Sequence, residues 1–266
     1  MIALSPAEQL ALLDPKAVKA KDAVKATLLS LVAQGVLKIE TTSTRGFFGT
    51  KKATTVSVAR DATPDGPHAA ALVRVVRDAG SGGAPLAGVA KGAREAWGDD
   101  LRQFLTGYVF PSLTRRGLLT ESSRKVAFFF HRTVYDHTPA GAMERIRVLG
   151  LVQRARTIPA LLRENPAEAA AIALAAGSTL LIVPELKAFY GQLAALGPRG
   201  AGGSWSSGDG WPSTTFDPGS FDASSLSSFD SSDFSSFDSS FDSSFSGSDS
   251  GGGDSGGGDG GGGGGD

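Results

Sequence analysis

The chain has 266 residues, with 26 Lys and Arg, 27 Asp and Glu, and no cysteine. Every basic residue lies at or before Arg199 and 11 of the acidic ones follow it, so residues 1–199 carry a net +10 and residues 200–266 a net −11. The lack of cysteine excludes disulfides, thiolate metal sites and cysteine nucleophiles, while a basic body is drawn to phospholipid headgroups, to nucleic acid or to its own acidic tail.

In chain order, the opening MIALSPAEQLALLD lacks the basic-then-apolar layout of a secretory signal, so a cytoplasmic protein is expected. SPAEQLALL (5–13) places Ser and Pro where a helix starts. AKDAVKATLLSLVAQ (20–34) predicts a second helix with Val24, Leu28 and Leu31 on one face and Lys21, Lys25 and Gln34 elsewhere. Gly35 ends it, VLKIE (36–40) and KATTVSV (52–58) read as strands, and TTSTRGFFGTK is the loop between them.

The same grammar returns over 101–135, where a helical stretch bent or divided at Pro111 meets Gly117 and turns into two strands. Two such helix–glycine–hairpin units predict winged-helix-like folding and internal pseudo-repetition. A helix is expected from Thr138 and Pro139 with Met143, Ile146 and Leu149 or Gly150 inward, followed by helices at about 166–182 and 185–196. The apolar run AAAIALAAGSTLLIV (169–183) is shorter than the roughly 20 residues a bilayer span needs and is read as a buried helix. The fold class is therefore mainly α with short β-hairpins: a compact body over 1–199 and a disordered acidic tail over 200–266.

Composition supports the tail assignment, because 19 glycines and 21 serines fill 40 of its 67 residues. SFD units at 220–222, 228–230, 236–238 and 240–242 are adhesive points on this string, which either solubilises the protein, folds back on the basic body or recruits a partner.

The sequence carries no familiar catalytic pattern. Gly83 and Gly88 have the gap of a phosphate loop, but Val89 stands where its Lys must be. His131, Asp136 and His137 fit no metal-ligand spacing, and GFFG (46–49) joins strands where a nucleic-acid clamp would join helices. No enzyme, metal or cofactor is expected. The remaining feature is GLLTESSRKVAFFFHRTVY (117–135), three phenylalanines flanked by Arg124, Lys125 and Arg132. As one strand, 126–135 puts Val126, Phe128, Phe130 and Val134 on one face and Phe129, His131 and Tyr135 on the other. The expectation is that the Phe128 face packs on the body and Phe129 seeks a second partner.

Several stretches together resemble the Golgi phosphoprotein family and its bacterial relatives: LSPAEQLALLD, ATLLSLVAQGVLKIE (26–40), VSVARDATPDGPHAAAL (56–72), GLLTESSRKVAFFFHRTVYD (117–136) and NPAEAAAIALAAGSTLL (165–181). The likeness spans roughly 1–196. It implies a peripheral, mostly helical membrane protein that binds anionic headgroups, phosphoinositides among them, and acts as an adaptor. It also implies a hairpin at 124–135 that enters membranes or mediates self-association, through Phe128, Phe129, Phe130 and Tyr135. Where that family carries a tryptophan and arginines before the two glycine stops, this chain has Val24 and Lys25, then Leu105, Thr106 and Tyr108, with Arg115 and Arg116 shifted towards the helix end. The implied lipid-binding set is Lys25, Arg115, Arg116, Arg124, Lys125 and Arg132. A second resemblance, to the cytosolic region of YciQ-like bacterial predicted membrane proteins, rests on the LSPAE opening, the TLL-x-LV-x-x-G helix end and the Gly/Ser tail. It implies a soluble protein–protein interaction scaffold. Winged-helix DNA binding ranks third, because AKDAVKATLLSLVAQ offers few side chains suited to base edges.

Overall fold

In the computed structural model, the described residues are 4–46, 49–59, 63–80, 82–127, 130–195 and 231–245. They are mainly helical, with two small antiparallel sheets. Helix α1 (Pro6–Leu13) opens with a complete capping box: the Ser5 hydroxyl accepts the Glu8 N–H at 3.2 Å and the Glu8 carboxylate accepts the Ser5 N–H at 2.8 Å. It packs on α2 (Ala20–Ala33), whose Val24, Leu28 and Leu31 are buried as their spacing predicts.

β1 (Leu37–Gly46) and β2 (Gly49–Val58) pair antiparallel throughout, from Leu37↔Val58 to Gly46↔Gly49. The residues expected to form a long loop are thus strand, because the β-branched run TTST continues the alternation. Phe47 and Phe48 lie outside the described residues. α3 (Pro67–Ala79) and α4 (Leu86–Trp97) follow, and the short β3 (Ala84–Pro85) adds to β2.

The second unit begins with α5 (Arg102–Phe104), a π-turn over Leu105–Val109 and α6 (Phe110–Arg115). Proline at 111 has no N–H to donate. The helix absorbs that loss as a wide turn in which Phe110 N–H reaches back to the Leu105 carbonyl, rather than breaking. β4 (Leu119–Ala127) and β5 (Phe130–His137) form the second hairpin, with an irregularity between Lys125 and Ala127.

The two helix–hairpin junctions are near copies. Gln34, Gly35 and Val36 donate to the carbonyls of Ser30, Val32 and Leu31, and Arg116, Gly117 and Leu118 donate to Ser112, Thr114 and Leu113. Gly35 and Gly117 both have φ +69°, a conformation that glycine adopts without Cβ strain. The pseudo-repetition read from the sequence is therefore present in the backbone.

α7 (Pro139–Ala155) starts as expected, with Thr138 accepting from the Gly141 N–H. Its orientation corrects the sequence reading. Met143 and Ile146 are 74% and 68% exposed, and Gly141, Val148, Val152 and Ala155 face the core. Backbone contact decides this: a Cβ on Gly141 would lie 1.8 Å from the Leu118 carbonyl oxygen, so this glycine face is seated on the second junction. α8 (Ile158–Glu164) and α9 (Pro166–Ala176) lead into 3₁₀ turns at Gly177–Ile182 and Pro184–Phe189, then α10 (Tyr190–Ala195). The two expected C-terminal helices are thus broken by tighter turns. Among the described residues no single helix is long and apolar enough to cross a membrane.

The expectation of a disordered tail does not hold over 231–245, where α11 (Ser231–Phe245) lies against α4, the β1–β2 hairpin and the 184–189 turn. Phe237, Phe241 and Phe245 join the buried core. The SFD units at 236–238 and 240–242 supply Phe237 and Phe241, and over this stretch the tail folds back on the basic body, one of the roles left open to it.

Candidate functional site

Of the sequence-selected cations, the four whose side chains are described, Lys25, Arg115, Arg116 and Arg124, do not meet at one place. Lys25 projects from α2 beneath α11, where its ammonium pairs with Asp238, lies 3.4 Å from Asp242 and sits 5.1 Å from the centre of the Phe241 ring. It is 9% exposed, so it is not an open membrane-facing residue as the tail stands. Arg115 is exposed and donates to its own helix at the Pro111 carbonyl, 3.3 Å away. Arg116 turns inward, 3.5 Å from the Glu8 carboxylate.

Glu8 is 1% exposed and also accepts from the Ser112 hydroxyl at 2.7 Å, so the capping box of α1 doubles as the buried acceptor for the second helix–hairpin junction. His68 lines the same small cavity of about 220 Å³. Burial pushes its pKa below the ordinary value; the nearby Glu8 carboxylate opposes the shift and Arg116 adds to it.

Among the selected cations whose side chains are described, Arg124 is the one that borders a large cleft. The cleft holds about 1070 Å³ between the α1–α2 connection, the π-turn and the base of the second hairpin, with Lys16, Arg102 and Arg124 along its wall. Lys16 and Arg124 converge on Asp136, at 2.9 and 3.1 Å, and Asp100 lies on the same wall. The Lys16 hydrogen bond, with Arg124 assisting, holds the Asp136 carboxyl below its ordinary range. Three cations against two carboxylates leave a net positive charge at the cleft. Lys16 and Arg102 carry no local sequence signal: one lies in the connection before α2 and the other opens α5, and only the fold brings them to one cleft.

Tyr135 closes this cleft from the body side. It is 8% exposed and stacks on Phe110 with ring centres 4.2 Å apart. It is therefore an anchor of the hairpin in the core, not a membrane-facing ring. The described part of β5 also reverses the expected parity, since Tyr135 is buried and Val134 only half-buried. Phe128 and Phe129 lie outside the described residues, as do the side chains of Lys125, Phe130, His131 and Arg132.

His137 Nε2 is 2.6 Å from the Leu12 carbonyl oxygen, and among the described residues no group of three or more His, Asp or Glu is placed to hold a cation. The chemistry available at the cleft is charge pairing and hydrogen-bond donation.

Comparison with protein families, with curated proteins and with solved structures finds no match to this chain.

Proposed function

We propose that this chain is a non-enzymatic peripheral membrane protein that takes anionic lipid headgroups at the Lys16–Arg102–Arg124 cleft and serves as an adaptor. The observation that carries the reading is the position of that cationic cleft at the base of the second hairpin, β4–β5. A headgroup phosphate offers the acceptors that one ammonium and two guanidinium groups require, and guanidinium forks suit phosphate oxygens. Each basic residue near an anionic surface contributes about 1 kcal/mol, and one buried Phe contributes roughly 1.5–3 kcal/mol, so charge and hairpin insertion act together. The resemblance to the Golgi phosphoprotein family points the same way, with each helix–glycine–hairpin unit read as winged-helix-like.

Two vesicle compositions and a DNA duplex, each at low and high salt, test the proposal. The full chain is expected to co-sediment with vesicles containing anionic phospholipid, to ignore neutral vesicles, and to shift DNA weakly or not at all. Tighter binding to DNA than to anionic vesicles at both salts would overturn it in favour of nucleic-acid recognition.

A further inference from the structure

The groove that holds α11 is built for a particular kind of ligand. Its rim carries Lys21, Lys25, Arg94 and Lys187 from three separate elements, and its floor takes Phe237, Phe241 and Phe245, which are 0%, 0% and 7% exposed. Phe237, Phe241 and Phe245 recur every four residues along one helix face, and Asp238 and Asp242 each follow a ring directly, so these two carboxylates sit at the edge of the apolar stripe.

Each of the two aspartates meets two lysines, and Lys25 is shared between them. Asp238 pairs with Lys25 and with Lys187 at 3.3 Å; Asp242 pairs with Lys21 at 3.2 Å and with Lys25 at 3.4 Å. Burial resists ionisation of Asp242, but Lys21 and Lys25 outweigh it and hold the carboxyl below its ordinary range. At the helix C-terminus Arg94 donates to the Ser244 carbonyl and Lys21 to the Asp242 carbonyl at 3.3 Å, answering both the unpaired carbonyls and the negative end of the dipole. Thr54 donates to Ser240 at 3.4 Å from the β2 side.

Residues 231–245 are mostly Ser, Asp and Phe, residue types with modest helix propensity, and contain no Ala or Leu. A helix of that composition forms where it is docked, and its partly exposed ion pairs weaken with salt.

From these contacts we infer that the groove between α2, α4, the β1–β2 hairpin and the 184–189 turn is a docking site for acidic amphipathic helices of another protein. Such a helix carries aromatic residues at i, i+4 and i+8 and carboxylates at i+1 and i+5. The chain's own tail is the resident competitor. Charge complementarity and the seated helix select this class of partner. The inference concerns a different face from the lipid cleft and stands or falls apart from it.

The full chain permits a clean test because it has no native cysteine. In Thr54→Cys/Ser240→Cys, oxidation locks the tail in place from hydroxyls that lie 3.4 Å apart. In Phe237→Ala/Phe241→Ala, the tail is released. A labelled peptide of residues 231–245 is titrated into both by fluorescence anisotropy, beside the same peptide with Asp238→Lys and Asp242→Lys, with a melting curve confirming that the released variant is folded. The peptide is expected to bind the released chain about tenfold or more tighter than the oxidised chain, as loss of two buried rings implies. The charge-reversed peptide is expected to bind neither. Failure of the disulfide to form within one chain, equal binding to locked and released chains, or no binding to the folded released chain would each overturn the inference.

Discussion

Lys25 of α2 and Asp242 of α11 are 217 positions apart in sequence, and their charged atoms are 3.4 Å apart. The pair joins a body of net +10 to a tail of net −11, and through Phe241 it adds a ring beneath the same ammonium. The tail thereby withdraws Lys21, Lys25 and Lys187 from any external anion.

Removing that cover changes anionic binding. Deletion of residues 200–266, or Asp238→Lys with Asp242→Lys in the full chain, is expected to tighten association with acidic vesicles by roughly a hundredfold at low salt, since each of the three freed cations contributes about 1 kcal/mol near such a surface. The gain is expected to shrink as salt rises. Equal co-sedimentation of intact and altered chains at low salt would contradict this.

Phe241→Ala removes a fully buried ring from the centre of the tail helix. The expected loss is about 1.5–3 kcal/mol of docking free energy. Amide exchange over 231–245 is expected to approach that of an open chain while the body keeps its protection and its melting temperature. Slow exchange retained across the helix would show that the ring does not hold it.

The two glycines of α7 give opposite expectations. Gly141→Ala drives a methyl group against the Leu118 carbonyl oxygen, 1.8 Å from the ideal Cβ position, and is expected to cost about 1–3 kcal/mol or more. Gly150 has nothing within 4 Å of its Cβ position, and Gly150→Ala is expected to stabilise by about 0.5–1 kcal/mol. Chemical denaturation of both variants checks the pair, and equal effects would refute the seating of α7 on the second junction.

Stability also carries a pH signature at His68. Burial lowers its pKa in the folded state, so the unfolded chain binds the proton more readily. The neutral ring's contribution is fully present above the ordinary value of 6.5 and is lost as pH falls below it. The melting temperature is expected to drop between pH 7.5 and 5.5, and His68→Gln is expected to flatten that drop. An unchanged slope in the variant would assign the dependence to other groups.

Much of the fold was legible from local signals. Ser5 and Glu8, Thr138 and Pro139, and the two glycine stops at 35 and 117 each mark their boundary by chain-local chemistry, and the structure keeps them. What failed was long-range. Met143 and Ile146 have helical spacing, but the choice of inward face was made by the Gly141–Leu118 contact, which no window of sequence contains. Tyr135 belonged to a recognisable aromatic hairpin, yet its stack on Phe110 comes from the preceding helix and turns it into an anchor. The site was legible only as charge: Arg124 was found, whereas Lys16 and Arg102 join it through folding, and Lys25 and Arg116 leave the set for Asp238 and Glu8.

The most direct measurement is co-sedimentation of the full chain and of Lys16→Ala/Arg102→Ala/Arg124→Ala with anionic vesicles at low salt. All three side chains lie on the wall of the cleft, and the melting curve of the variant reports its folding independently. About 1 kcal/mol for each cation predicts a loss of roughly a hundredfold in vesicle affinity with the fold retained. Undiminished binding by a folded triple variant would contradict the assignment of this cleft as the headgroup site.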